Sequence, residues 1–418
     1  MGKLLSIILK NAFRNLLRNK RRTLLTGMAI IISTVAMLLI MDYNKTSMYF
    51  FREGQIQSRW GHIQVKKKGY YGSETTSLKY MLSKEEVAKV KKVIKESNFK
   101  KNMKHFLVRI NFSGLLLKEG DSEASIVVGS AIDPQKETLA NPGLKYGNIY
   151  DGNFLSGQEP GELVIGTGLA KRLNLKVSDV VYLYSVGGTG LPDIMEGKIS
   201  GIISFGTKSV DDIIIYADVE DIQKLFGTEN IHDIVIFLDD TNNVNDVLKY
   251  MKSKLDPNTY EIFAWSDLAT DYKQVVSYIF QNFFFTIFII VVVLIFLSTN
   301  TILMSVMERM SEFGTLRAIG RNRIEISLMI IFEAIILGIV CSITGLGIGA
   351  FLAKFLTSLS IPLPPPPGGS ISYPLSIFTN PESLLLIFLI QMATILIATI
   401  YPVLKISRVK IIDAIRYY

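Results

Sequence analysis

Four long stretches almost free of charge limit what this chain can become. Thr23 to Met41, Gln274 to Met307 and Ser383 to Leu404 contain no Asp, Glu, Lys or Arg, and Ile326 to Ala353 contains only Glu333. At 1.5 Å per helical residue, each stretch can cross the roughly 30 Å hydrocarbon core of a bilayer. The fold class that follows is a membrane protein with four transmembrane helices in a 1+3 arrangement. The long polar segment between the first and second spans then lies on one side of the membrane and is large enough for one large or two small domains.

Charge distribution orients the spans. The chain carries a net charge of +8, which by itself is compatible with nucleic-acid binding. The basic excess, however, sits beside the spans: the segment through Arg22 has seven basic residues and no acid, Glu308 to Glu325 has four basic and three acidic, and Lys405 to Tyr418 has four and one, +11 together. The polar segment between the first two spans is −2. Lys and Arg flanking spans mark the cytoplasmic side, so both termini and the 308–324 loop are expected inside and the large domain outside. No basic patch with a nucleic-acid-reading motif is present, which argues against a nucleic-acid partner.

The organisation that follows has nine parts. Residues 1–22 form a cytoplasmic amphipathic interfacial helix, because Lys10, Arg14 and Arg18 recur every four residues opposite Leu5, Leu9 and Phe13. The first span covers 23–42 and ends in Asp42-Tyr43-Asn44-Lys45 without a small-x-small site, so it reads as an anchor and not a cleaved signal. An extracytoplasmic α+β domain fills 43–273. The second span, 274–307, is 34 residues without a charge, about 51 Å as one helix, and should protrude from the bilayer. A short cytoplasmic helix lies in 308–324, the third span in 325–354, a Pro-rich outer loop in 355–382, the fourth span in 383–404 and a cytoplasmic tail in 405–418.

Within the outer domain, short alternating runs read as strands: 61–66, 108–118, 124–128, 180–184, 198–203, 212–216 and 233–238. Helices are expected at 83–96, opened by Ser83 with Glu85 and Glu86 in the first turn, and at 246–255. Gly166-Thr-Gly168 reads as a strand-to-helix turn. The single cysteine, Cys341, excludes disulfides, and His62, His105 and His232 stand far apart with no nearby Cys, which does not support zinc. There is no G-x-S-x-G, H-E-x-x-H or Walker A sequence. The chain is therefore expected to be non-catalytic, with no cofactor of its own.

The 308–324 segment carries the most specific pattern. In Glu308-Arg-Met-Ser-Glu-Phe-Gly-Thr-Leu-Arg-Ala-Ile-Gly320, Ser311 is expected as N-cap, Glu312 in the first turn and Gly320 as the C-terminal stop. Phe313, Leu316 and Ile319 are spaced by three and predict an apolar ridge, beside Glu312 and Arg317, suited to a groove on another protein. In the third span, Ala334, Gly338 and Ser342, then Gly345, Gly349 and Ala353, recur every four residues. Small residues at this spacing allow close helix packing, internal or between subunits. Glu333 needs protein, water or the interface around it. Pro364 to Pro367 should form a stiff, extended outer cap.

Asn11-Ala-Phe-Arg-Asn-Leu-Leu-Arg-Asn-Lys-Arg-Arg-Thr23, the 308–320 loop and Tyr401-Pro-Val-Leu-Lys-Ile-Ser-Arg-Val-Lys410 resemble the FtsX-like, MacB-type permeases of ABC transporters. Glu159-Pro-Gly-Glu-Leu-Val-Ile-Gly-Thr-Gly-Leu-Ala-Lys171 resembles that family's periplasmic domain. The layout is closest to the LolC and LolE lipoprotein-releasing permeases. The resemblance implies an inner-membrane protein paired with a second permease subunit and bound by a separate ATPase that holds ATP and Mg. It implies mechanotransmission through an ATPase-coupling segment: Glu308, Arg309, Glu312, Phe313, Gly314, Thr315, Leu316, Arg317, Ala318 and Gly320. It also implies contact with membrane lipids, and a lipoprotein substrate passed to a periplasmic carrier. In place of the long carrier hook stands 185–196, with Gly187, Gly188, Gly190, Leu191 and Pro192, a candidate carrier-contact loop that is shorter and richer in glycine. Alternatives are a generic exporter of amphipathic substrates and a transmembrane regulator of a cell-wall hydrolase.

Overall fold

The charge-free runs become four long helices. The computed structural model describes residues 20–70, 78–121, 123–141, 149–186, 192–204, 208–363, 373–411 and 414. The expected interfacial helix through residue 19, the glycines of the candidate carrier-contact loop with Leu191, and Pro364 to Pro367 lie outside the described residues. The helices are α1 (Lys20–Gln55), α2 (Thr270–Glu308), the short α3 (Met310–Ala318), α4 (Arg323–Ser358) and α5 (Pro381–Arg408). All except α3 are long and apolar enough to cross a membrane. Each exceeds its charge-free run because backbone hydrogen bonding continues into the polar flanks, where water tolerates side chains that lipid excludes. The chain forms two compact units: a membrane unit (1–49, 275–361 and 374–418) and an outer domain (50–274 and 362–373).

Lipid removes the hydrophobic drive that holds helices together in water, so contact area and interhelical hydrogen bonds must supply it. The small residues of α4 provide the contact. Ala334, Gly338, Ser342, Gly345, Gly349 and Ala353 are all buried within the unit. A Cβ on Gly345 would sit 2.8 Å from Thr34 Cβ and 3.1 Å from the Ile31 carbonyl oxygen, and one on Gly349 would sit 2.8 Å from Leu38 Cδ2, so the α1 backbone lies against this stripe. Gly338 faces α5 instead, 2.8 Å from Ile395 Cδ1. Of the two uses open to this stripe, the described residues form internal packing. Polar ties add to it: Gln391 Nε2 donates to Ser33 Oγ at 3.1 Å, Thr299 Oγ1 to the Ala398 carbonyl at 3.0 Å and Lys45 Nζ to Ser383 Oγ at 3.0 Å.

The outer domain is α+β. Its strands are β1 (Ile63–Lys67), β2 (Met103–Lys118), β3 (Ala124–Ile132), β4 (Ile149–Gly152), β5 (Glu162–Gly166), β6 (Val180–Val186), β7 (Pro192–Ile203), β8 (Ile214–Asp218), β9 (Asp233–Leu238) and β10 (Tyr260–Ala264). The pairings form two joined bodies. The first has strand order β10-β1-β9-β2, with helix Lys84–Lys95 between β1 and β2 and helix Val244–Lys254 between β9 and β10, a ferredoxin-like split β-α-β layout. The second closes on itself: β2 pairs β3, then β8, β5, β7 and β6 follow, and β6 returns to β2. Closure leaves this six-stranded barrel without a free edge. The 16-residue β2 belongs to both bodies, bonding β9 with its first half and β6 with its second. Gly129 on β3 is needed here, since a Cβ would meet the Phe112 ring at 2.0 Å.

Two local readings show the sequence at work. Ser83 caps helix Lys84–Lys95 as expected, with Glu86 completing a capping box. Burial alone would raise the Glu86 carboxyl, but the Ser83 N–H and the Lys67 ammonium hold it below the ordinary range. His62 is buried, and its Nδ1 accepts the Leu238 N–H at 3.1 Å while Nε2 lies 3.1 Å from Thr241 Oγ1, so the ring is neutral with its proton on Nε2. The strand boundaries differ from the sequence reading at β2, β3 and β7, which extend further because their neighbours supply partners that periodicity cannot count.

Two outcomes follow. Gly345→Leu is expected to destabilise the membrane unit by about 1–3 kcal/mol through overpacking, while Gly347→Leu, which meets open space, leaves thermal unfolding in detergent unchanged. Burial pushes the His62 pKa below 6.5, with Glu53 opposing in part. The unfolded ring then binds a proton more readily than the folded one, so the stability that His62 contributes is full above about pH 6.5 and is lost as pH falls below it. A melting temperature followed down through that range should fall, and fall less in His62→Gln.

Candidate functional site

The end of α2 is where chain geometry and charge coincide. Helical backbone stops for one residue, Arg309 (φ −101°, ψ 16°), and resumes as α3. Arg309 is 5% exposed, and its Nη1 donates to both oxygens of Glu333 on α4 at 2.9 Å. Its Nε donates to Glu312 at 3.4 Å, and its guanidinium lies 4.9 Å from the centre of the Phe313 ring. The only charge in the run Ile326 to Ala353 is therefore satisfied by the residue at the helix break. Both carboxylate oxygens share one guanidinium nitrogen, and with both groups withdrawn from water neither charge is tolerable alone.

This clamp explains why two sequence expectations fail. Ser311 is not the N-cap of α3; that position belongs to Arg309, with no side-chain cap, and the Ser311 carbonyl accepts the Thr315 hydroxyl inside the helix. With the break confined to one residue, there is no unwound turn for Ser311 to cap. Phe313 does not form an outward ridge either. It is 1% exposed and packs with Val306, Met310, Ile326, Ile330 and Ile406 in the bundle's own core. Leu316 packs against the same cluster. The two turns of α3 hold the apolar stripe against α2, α4 and α5, because that is the nearest apolar surface.

Arg317 is also turned inward. Its Nη1 donates to the Val409 carbonyl at 2.5 Å, and Arg323 Nη1 donates to the Ser407 carbonyl at 3.1 Å. Two arginines thus satisfy carbonyls at the end of α5, where helical partners run out and the dipole favours positive charge. Gly314 is buried against the bundle. Gly320 follows α3 with φ +100°, the left-handed geometry expected of a stop.

Of the expected ridge, Ile319 is exposed while Phe313 and Leu316 turn to the bundle. Ser311, Glu312, Thr315 and Ala318 face outward. Ile319 is 78% exposed and Ile324, just inside α4, is 64% exposed. Sequence reading missed Ile324, which lies beyond the motif, and missed the pairing of Arg309. The second was legible in principle: a lone Glu in an apolar run needs a cation, and Arg309 begins the adjacent loop. A cavity of about 60 Å³ lies between the pair and Ser298, whose hydroxyl is buried without a protein partner, with Thr301 and Ser305 on the same α2 wall. Its hydroxyl lining suits ordered water.

Among the described residues no group of His, Cys, Asp or Glu is arranged to hold a metal ion. What the geometry provides is a short helix packed on three membrane helices, with Ser311, Glu312, Thr315 and Ala318 outward and the exposed Ile319 at its end. Glu333→Ala should cost about 3–5 kcal/mol by leaving the buried Arg309 without its carboxylate partner on α4, whereas the paired Arg309→Met/Glu333→Leu change should cost much less. Chemical unfolding of the detergent-solubilised protein distinguishes the two.

Comparison with known proteins places this geometry in context. Residues 282–411 match the FtsX-like permease C-terminal family. An ABC transporter permease of Methanocaldococcus jannaschii is 23% identical over 378 residues, 86% of this chain and 87% of that one. The lipoprotein-releasing system transmembrane protein LolC of Neisseria meningitidis serogroup B is 21% identical over 290 residues, 66% of this chain and 70% of that one. Among solved structures, the extracellular domain of the ABC-type transporter YknZ from Gram-positive bacteria is similar at 12% identity, over 49% of this chain and all of that one, with a TM-score of 0.34.

Proposed function

We propose that this chain, an FtsX-like ABC transporter permease, is the non-catalytic membrane subunit through which a separate ATPase does work on a lipid-anchored or amphipathic substrate. The observation that carries the reading is the surface left exposed where α3 ends and α4 begins: Ile319, which follows α3, and Ile324 in α4, on a segment whose start Arg309 fixes to Glu333. Exposed isoleucines at a cytoplasmic loop are unfavourable in water and favourable inside a partner's groove. The rigid seat behind them lets a push on α3 reach α2 and α4 without being absorbed by side-chain motion.

The orientation follows the charge pattern, with termini and α3 in the cytoplasm and the outer domain across the cytoplasmic membrane. α1 and α2 carry the chain into and out of the outer domain, so they are the elements by which ATP-driven movement would reach it. A second permease subunit completes the complex, and ATP and Mg belong to the ATPase. Release of lipoproteins to a carrier is the specific form of this activity that the similarity to LolC favours.

Ile319→Asp/Ile324→Asp is expected to abolish co-purification of the ATPase subunit and its stimulation while leaving the melting temperature unchanged, because both side chains are exposed. Phe313→Asp should instead lower stability. Unchanged ATPase association in the double variant would reject this docking face. For the substrate, mass spectrometry of the complex in nanodiscs should find acylated proteins, and depletion should leave lipoproteins in the cytoplasmic membrane; normal sorting would reject lipoprotein release.

A further inference from the structure

Side chains alternate along a strand, so every second position on the barrel points outward and is expected to be polar. On one side it is not. Leu115 on β2 pairs with Ile126 on β3 and with Tyr184 on β6, and Tyr184 pairs with Ile194 on β7, so one apolar row crosses four strands. Ile126 is 69%, Ile194 59%, Val186 58%, Leu115 45% and Val128 40% exposed. Leu117 and Tyr182, cross-strand partners two residues along, extend the row into a face. The opposite side chains of the same strands, such as Phe112, Leu116 and Leu183, fill the barrel and are fully buried. The outward residues are thus not needed by the core, and an exposed apolar face of this extent marks a contact surface.

Charge narrows what can cover it. Glu196 pairs across the strands with Tyr182, and Glu119 stands at the end of β2. Both act on the Tyr182 phenol, Glu119 most strongly, and push its pKa above the ordinary value. Asp121, Glu123 and Asp193 add exposed acids at the same strand ends. Lys118 does not offset them, since its ammonium is held by Asp179 at 2.8 Å; the exposed cations on these strands are Lys198 on β7 and Lys104, which lies at the opposite end of β2 from Glu119. Anionic lipid is repelled by such a rim, and a second copy would bring the same negative rim to it.

We infer that this face of the barrel binds a polypeptide segment in which apolar side chains adjoin lysine or arginine. The apolar side chains cover the row from Ile126 to Ile194, and the cation sits between Glu119 and Glu196 against the Tyr182 ring. Four strands spaced about 4.8 Å apart put the outer members about 14 Å from each other, the reach of roughly four or five extended residues. The partner is therefore a short segment. The inference does not depend on the transport reading above.

A displayed random-peptide library selected on the full-length protein in nanodiscs, against Ile126→Thr/Ile194→Thr as the counter-target, tests it. Threonine keeps strand preference, and an unchanged melting temperature shows that the variant is folded. Enriched peptides should combine apolar residues with Lys or Arg. Their affinity should fall about tenfold or more in Ile126→Thr/Ile194→Thr and in Glu119→Gln/Glu196→Gln, and stay unchanged in Leu139→Ser, an exposed leucine elsewhere in the domain. No enrichment, peptides without basic residues, or binding indifferent to both paired variants overturns the inference. So does a self-associated protein that the Ile126→Thr/Ile194→Thr change dissociates, which would give the face to a second copy.

Discussion

The Arg309–Glu333 pair holds together the end of the membrane unit where α2, α3 and α4 meet. A carboxylate in an apolar helix and a guanidinium at a helix end are each costly within a bilayer, and they become tolerable only together. Because Glu333 belongs to α4 and Arg309 is the one non-helical residue between α2 and α3, their bond fixes a joint as well as a charge. The position of Phe313 in the core and the outward turn of Ile319 both follow from where that joint puts α3. The pair also sets which surface is left for a partner.

Elsewhere the fold meets the same demand, satisfied backbone and filled space, by different means in the two units. In the membrane unit each helix satisfies its own hydrogen bonds, and glycine and alanine on α4 let neighbouring backbones come within contact distance. In the outer domain strands must find partners. A ring of six strands removes the edges, while β2 continues out of the ring to tie it to the split β-α-β body. Such a closed frame leaves its exterior free to carry surfaces, which is why the apolar row of Leu115 and its neighbours can be exposed without weakening the core.

Two exposed surfaces stand out. One is the pair of exposed isoleucines, Ile319 and Ile324, between α3 and α4. The other is an apolar barrel face with an acidic rim. Each joins exposed apolar side chains to a nearby charge, the combination that gives a protein contact both affinity and choice of partner.

The number of long apolar helices, their 1+3 order and the α+β character of the outer domain were legible in the amino-acid sequence. These rest on hydropathy, charge and short-range period, which are properties of consecutive residues. The Ser83 cap and the small-residue stripe of α4 were legible for the same reason. Which way α3 faces was not legible in the sequence. Spacing of Phe313, Leu316 and Ile319 says that they share a side of a helix, but whether that side meets the chain's own bundle or solvent depends on α4 and α5, far away in sequence. The barrel was invisible for the same reason: ring closure through β6 and β7 depends on pairings between distant strands, and no local pattern encodes which strand comes next to which.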